Sequence, residues 1–319
     1  MAADPLRQVT LRQLQIFLAA AEHASFMRAA EVLHLTQPAV SMQMSQLADS
    51  IGMPLFEKRG RNLVLTRAGE TLLPFAQRVA QTLREASEAI DALQGLRKGR
   101  IRIAMVTTTR YFAPRLVGHF RAQHPQIELD IAIANRESVI AQLENNQVDL
   151  AIMGRPPAHL PVAAHAFAQH PHGIIAPPEH PLAAKKRLAP ARLAEEPFIS
   201  REAGSGTRSA MEFFFNENGL APPIVQEMTS NESIKQAVMA GMGLAFISLH
   251  TVSLECQTGH LALLDVKGLP IVRTWYVVHT ASKLLSPAAS AFLQFMQAEG
   301  PAHMEHLFPG SGRLDGRKR

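Results

Sequence analysis

LTQPAVSMQMSQLADSIGMPLFEKRGRNLVLTRAG, from Leu35 to Gly69, decides how the amino-terminal part of this 319-residue chain folds. Thr36 has the side chain of an N-cap, and Pro38 suits a helix's first turn, where no N–H partner is missed, so a helix is expected from Gln37 to about Ile51. Val40, Met44, Leu47 and Ile51 follow at spacings of four, three and four, forming one buried stripe, and Gly52 supplies the stop. Pro38, Ser41, Met42, Ser45 and Asp49 fall on the opposite face. That face is short, polar and nearly uncharged, which suits the edges of bases better than phosphates alone.

Working outward, Ser25 can cap a helix through Met27, Ala29, Ala30 and Leu33, and His34-Leu35 leave only a short turn before the next helix. Helix, tight turn, helix is the helix-turn-helix plan, with the second helix as reader. Thr10-Leu11-Arg12-Gln13 is a capping-box pattern that opens a scaffold helix with Leu14, Phe17, Leu18 and Ala21 on one face. On the other side, Leu55-Phe56 and Leu63-Val64-Leu65 bracket Glu57-Lys58-Arg59-Gly60-Arg61-Asn62, a hairpin with a basic tip. Such a wing can set Arg59 or Arg61 against phosphates or in a narrow minor groove. A lone helix-turn-helix pattern is as readily a packed helical corner; the wing tips the reading toward a DNA-binding domain over residues 9–66.

From Arg67 to Leu96, Leu72, Ala76, Val79, Leu83, Ala86, Ile90 and Leu93 alternate spacings of four and three, a heptad seam on a linker helix assigned to residues 67–96. Pro74 sits early in it, and Arg97-Lys98-Gly99 marks a linker. Roughly thirty residues would span about 45 Å, and the stripe needs a partner, so a dimeric coiled coil is expected rather than a helix lying on its own domain. Beyond Gly99 the reading is α/β. Strands at 100–106, 127–133 and 149–153 alternate with helices at 112–120 and 138–145; a second set follows at 173–176, 198–199, 207–218, 225–229, 232–240 and 244–248. Tyr276–His279 and a helix at 286–297 complete the first set. Two lobes joined by two crossings leave a cleft where strand ends and helix starts converge. The boundaries read are lobe I at about 99–168 and 277–299, lobe II at about 169–276, and a flexible tail at 300–319.

Ala29-Ala30, Leu35 to Ser41, Gly52, Pro54-Leu55-Phe56-Glu57, Arg59 and Leu65-Thr66-Arg67-Ala68-Gly69 together resemble the amino-terminal domain of LysR-type transcriptional regulators. Residues 99–299 are similar to the effector-binding domain of that family, itself like periplasmic solute-binding proteins. Arg201 to Arg208, Ser230 to Gly241 and Trp275 to His279 look most like the activators of ribulose-bisphosphate carboxylase operons. The resemblance implies a homodimer or homotetramer on promoter DNA with interrupted dyad symmetry, with RNA polymerase as a partner. It implies no cofactor, but a small-molecule effector: a phosphorylated sugar, another phosphorylated intermediate of carbon metabolism, or a reduced nicotinamide nucleotide. Gln37, Pro38, Ser41, Met42 and Ser45 are expected near bases, with Arg59 and Arg61 on backbone or minor groove. Met42 and Ser45 stand where the family often has arginine or lysine.

For the effector, Gly204-Ser205-Gly206-Thr207 precedes a helix, so its N–H groups and hydroxyls can cradle a carboxylate or phosphate, or simply cap the helix. Ser209 stands where a dinucleotide fingerprint would need its third glycine. Thr107 and Thr108 lie at the end of the first α/β strand and face the expected cleft. Arg136, Arg155, Arg201, Arg208 and Lys235 sit near element ends and can add positive charge, although each alone is more often a solvated surface charge. The site is therefore read as Thr107, Thr108, Arg136, Arg155, Ser205, Gly206 and Thr207.

Composition narrows the function classes. At 47% apolar residues the chain can bury sizeable cores, and its net charge of +5 is compatible with nucleic acid without proving it. No run reaches the eighteen apolar residues of a membrane span, and Met1 to Arg12 lacks the apolar core of a secretory signal, so no membrane partner and a cytoplasmic location are expected. That weighs against the rival reading, a solute-binding protein. Cys256, the only cysteine, reads as a small buried hydrophobe. The fourteen histidines show no HExxH pattern; His165, His170, His172 and His180 fall in a Pro-rich segment with no defined face, so no metal is expected. Nothing resembles a nucleophile elbow or a phosphate-binding Walker loop, and no catalytic residue is assigned.

Overall fold

Thr10 opens the first helix by the reciprocal cap its spacing implied: its hydroxyl accepts from Gln13 N at 3.2 Å, and Gln13 Oε1 accepts from Thr10 N at 2.9 Å. The computed structural model of the chain describes residues 8–60, 62–93 and 99–307. It divides into two compact units that part within residues 94–98, except that Asn145–Gln147 group with the first. In the first, α1 (Leu11–His23) is followed by α2 (Phe26–Val32), capped by Ser25, and α3 (Gln37–Ile51), capped by Thr36. Gly52 ends α3 at φ 79°, a left-handed conformation that costs glycine nothing. Val40, Met44 and Leu47 are buried against Ile16, Phe17 and Ala29, while Ile51 packs at the margin of that core.

The wing is an antiparallel pair, β1 (Phe56–Arg59) and β2 (Asn62–Leu65), with Phe56 opposite Leu65. α4 (Arg67–Leu93) then runs through Pro74. Its first turns belong to the domain: Ala76 is buried and Leu72 and Leu73 are partly so. A Cβ at Gly69 would stand 2.2 Å from the Leu55 carbonyl oxygen, so only glycine lets the helix start pass that close to the wing. Beyond Ala76 the seam opens to solvent, with Val79, Leu83 and Ile90 exposed at 41%, 44% and 56%.

The second unit begins β3 (Gly99–Val106), a 3-10 turn at Thr107–Tyr111, α5 (Ala113–Gln123), β4 (Ile127–Ala134), α6 (Arg136–Glu144) and β5 (Leu150–Met153). It continues through β6 (Val162–Ala176), β7 (Phe198–Arg201), α7 (Gly206–Glu217), β8 (Ile224–Met228), α8 (Asn231–Met239) and β9 (Ala245–Ser248). Then come α9 (Ser253–Gln257), β10 (Ala262–Leu263), β11 (Ile271–Thr280), α10 (Pro287–Ala298) and α11 (Gly300–Leu307). The main sheet has the order β10-β6-β11-β5-β3-β4, with β9 also on β6; β7 and β8 pair separately. β3 is parallel to β4 and β5, as helical crossovers require, whereas β11 is antiparallel to both β5 and β6.

The two crossings are β6 and β11 themselves. They pair along their length, with an irregularity between Trp275 and Tyr276. One end packs into a core around Met105, Phe120 and Phe292, and the other into a core around Phe198, Phe214 and Phe246. Here the structure corrects three expectations. β6 covers Val162–Ala176 rather than 173–176, so His165, His170 and His172 occupy defined strand positions; β11 likewise begins at Ile271. The alanines, histidines and Pro171 of β6 are poor strand formers, and burial in a central position overrides their propensity. Residues 300–307 are not tail but α11, with Met304 buried and Gly300 close against the Phe167 ring. The rest of that expected tail, 308–319, lies outside the described residues, as do residues 94–98 of the expected linker.

Candidate functional site

On the first unit, the exposed side of α3 presents Gln37, Pro38, Met42 and Ser45. Ser41 is half-buried and accepts a hydrogen bond from Gln37 Nε2 at 3.1 Å, which fixes the amide at the helix start. Arg59 stands exposed on the wing and donates from Nε to Glu57 at 2.8 Å. That acid tempers its charge without burying it. Arg61 lies outside the described residues.

The second unit holds a cavity where several of its strand and helix ends converge. Thr107 and Thr108, Arg136, Arg155, and Ser205, Gly206 and Thr207 all line it. They arrive from the ends of β3 and β5, the start of α6 and the start of α7, which is why chain-end positions were informative. Ser205 takes the N-cap position of α7, yet its side chain makes no capping bond. The first amide groups of α7 are thus not capped by that hydroxyl, and the positive end of the helix there favours an anion.

Arg201 also lines the cavity but is already satisfied. Only 3% exposed, it forks onto Glu202 at 2.6 and 2.7 Å, donates to Asn231 Oδ1 at 2.6 Å, and reaches Thr107 Oγ1 at 3.3 Å. It ties the β7 end to the β3 end and contributes little net charge. Arg208 and Lys235 are not in the lining: Arg208 is paired with Glu212 and Glu227, and buried Lys235 sits between Glu232 and Glu255 over the Tyr111 ring.

Arg136, Arg155 and Arg273 are different. Among the described residues none of them has a carboxylate within ion-pair distance. Arg136 donates to the Arg155 carbonyl, and Arg273 to the Gly206 carbonyl at 3.2 Å. Burial and the charge of Arg155 pull both Arg136 and Arg273 below the usual guanidinium value. Arg136 and Arg273 are half-buried, and exposed Arg155 adds its charge beside them.

Beneath them lies a neutral floor. His170 stacks on Trp275 with centroids 3.9 Å apart, its Nε2 is 2.9 Å from Ser248 Oγ, and Trp275 Nε1 donates to His250 Nδ1 at 3.2 Å. Burial pushes His250 to about 3; burial and Arg273 push His172 to about 3; burial, then His172, His250 and Arg273, hold His170 well below its ordinary value. His170 keeps its buried Nδ1 without a hydrogen-bond partner, and a Cβ at Gly154 would come within 2.8 Å of that atom. The sequence reading missed His170, His172, Arg273 and Trp275, because it did not extend the crossing strands this far. The period-two spacing of His170/His172 and Arg273/Trp275, which puts each pair on one strand face, was the available signal.

Residues 11–70 match the family described as bacterial regulatory helix-turn-helix protein, lysR family, and residues 94–301 match the LysR substrate binding domain. The chain belongs to the LysR family of transcriptional regulators. A relative from Allochromatium vinosum, named RuBisCO operon transcriptional regulator, is 50% identical over 291 residues, 91% of this chain and 96% of its own. The regulatory domain of Synechocystis PCC6803 CcmR, solved in complex with 2-PG, is 39% identical with a TM-score of 0.61, covering 63% of this chain and 97% of that one. Full-length CbnR complexed with its target DNA shares the fold, with a TM-score of 0.65 at 20% identity over 90% of this chain and 99% of that one. Both halves of the LysR-type architecture are therefore present, the helical winged head and the two-lobed α/β domain. Cys256, on α9, is half-buried beside the second lobe's core, and burial raises its thiol above the ordinary value, the condition of a packing residue more than of a nucleophile. No helix among the described residues is long and apolar enough to cross a membrane.

Proposed function

We propose that the chain is a DNA-binding transcription regulator that activates carbon-fixation genes and takes its signal from a small phosphorylated metabolite bound in the cavity. The observation that carries the ligand class is the trio Arg136, Arg155 and Arg273, without acidic partners among the described residues, gathered around two threonine hydroxyls and the uncapped start of α7. Like charges held close, two of them partly desolvated, repel one another, and an anion of two or three charges relieves that repulsion. 2-PG, the ligand of the CcmR regulatory domain, is an anion of this kind. The name of the Allochromatium relative supports the target genes.

On the DNA side, Gln37, Pro38, Ser41, Met42 and Ser45 would read bases while Arg59 meets backbone, and the exposed seam of α4 would join two chains so that paired heads address a promoter with dyad symmetry, in the cytoplasm and alongside RNA polymerase. The test is calorimetric titration of the full chain with 2-PG, expected to bind once per chain. Arg155→Ala and Arg273→Ala should each weaken it by about tenfold or more, the worth of a charge-assisted hydrogen bond, while leaving promoter footprints intact. Binding of a neutral aromatic compound while every phosphorylated candidate fails would sink the anion reading and spare the DNA-binding one.

A further inference from the structure

α5 and the junction of α10 with α11 bring together four chemistry-bearing side chains that share no residue with the anion cavity. His119 and Gln123 are one helical turn apart on α5. Glu299 and His303 are one turn apart on the other side, and the His303 N–H donates to the Glu299 carbonyl at 3.1 Å, which puts the two side chains on one face. His119 Nε2 lies 3.0 Å from Glu299 Oε2, and Gln123 Nε2 donates to the two oxygens of Glu299 at 2.9 and 3.2 Å. The rings of His119 and His303 meet edge to face at 4.4 Å, and Phe295 packs on both. One donor atom each from His119, Glu299 and His303 fall within 4.8 Å of one another, and no second such group occurs among the described residues. The buried Nε2 of His303 has no hydrogen-bond partner.

We propose that His119, Glu299 and His303 form a binding site for a divalent transition-metal ion, Zn²⁺ above all, that clamps α11 onto α5. Two imidazoles and a carboxylate are a donor set suited to zinc, and the mixed nitrogen and oxygen ligands disfavour Mg²⁺ and Ca²⁺, which take oxygen donors. α5 on one side and the α10–α11 junction on the other, each offering a pair of polar side chains about one turn apart, supply the convergence that a single helix cannot. Gln123 completes the set or yields to water: a half-turn of its amide exchanges the nitrogen now facing Glu299 for an oxygen that can coordinate. The sequence spacing could not reveal this group, because its halves are separated by most of the second unit.

Tag-free full-length protein titrated with Co²⁺ as a spectroscopic substitute should show one ion per chain, with visible d–d absorption of a low-coordinate site that Zn²⁺ abolishes by displacement. Zn²⁺ well above its Kd should raise Tm by about 5 °C, as a ligand that binds only the folded chain must. His303→Ala and the conservative Glu299→Gln should each remove the absorption and the Tm rise. His159→Ala, which breaks an exposed His–Glu pair with Glu144 at 2.8 Å, should change neither. Absence of stoichiometric Co²⁺ binding overturns the site, as does binding that survives both His303→Ala and Glu299→Gln in variants that still bind DNA. Because the cavity residues are untouched, 2-PG titration of the same variants keeps this outcome separate from the effector reading.

Discussion

Gly154 shows how a single missing methyl group shapes the cavity. His170 is pinned by its stacking on Trp275 and its contact with Ser248, so it has no room to retreat from a side chain at 154. Gly154→Ala should therefore shift His170 or the loop that carries Arg155, costing about 1–3 kcal/mol of stability and weakening anion binding while leaving operator affinity unchanged. Urea titration alongside calorimetry checks this, and unchanged values in both would show that His170 gives way without cost. The same scale explains why some site residues were legible in sequence and others were not. Thr107, Arg136, Arg155 and Ser205 sit where a strand or helix begins or ends, positions that an α/β lobe turns toward its cleft whatever the side chains are. His170 and Arg273 sit within strands, and only knowledge of how far those strands run could place them. Arg201 was legible as a cation near the cleft, but its neutralisation by the adjacent Glu202 becomes visible only in the folded geometry.

Among the elements, the helices of the head were read to within a residue or two because their signals are local. A cap, a glycine stop and an apolar period act within a few residues of chain. β6 and α11 were misread for the opposite reason: β6 is held by neighbours on both sides, and α11 opens with Gly300-Pro301, which looks like a break although proline is well suited to a first helical turn. Two predictions belong to this scale. Gly69→Ala forces a Cβ against the Leu55 backbone oxygen, which no rotamer change can relieve, so the start of α4 and the wing should separate. Thermal unfolding of the residue 8–93 head is expected to weaken by about 1–3 kcal/mol, with loss of DNA binding. Leu83→Asp places a carboxylate on the exposed stripe of α4, where a second copy would bring another. Analytical ultracentrifugation should find smaller species with helix content retained; an unaltered association state would remove α4 as the seam.

At the level of the whole molecule, the buried histidines make stability depend on pH. His172 and His250 are held at about 3 and His170 is also depressed, whereas in the unfolded chain each titrates near 6.5. Above about 6.5 both states are neutral at these positions and the folded state loses nothing. Below it the unfolded chain takes up protons that the folded chain refuses, so stability falls with pH, by up to about 1.4 kcal/mol per unit each for His172 and His250 down toward pH 3, with His170 acting in the same direction. Denaturation midpoints measured at pH 7.5 and pH 5.5 should show the second unit markedly weaker at the lower pH, and a flat profile would mean that these rings are solvated. Finally, β6 and β11 serve two cores at once, and their alternating side chains are committed on both faces over most of their length. Removing or inserting one residue within 162–176 would turn every later side chain of that strand to the wrong face. Over evolutionary time such a segment can change its letters but hardly its length, so divergence in length among descendants of this chain is expected in the loops at 156–161 and 177–197, with the crossing strands serving as a fixed ruler against which sequences can be aligned.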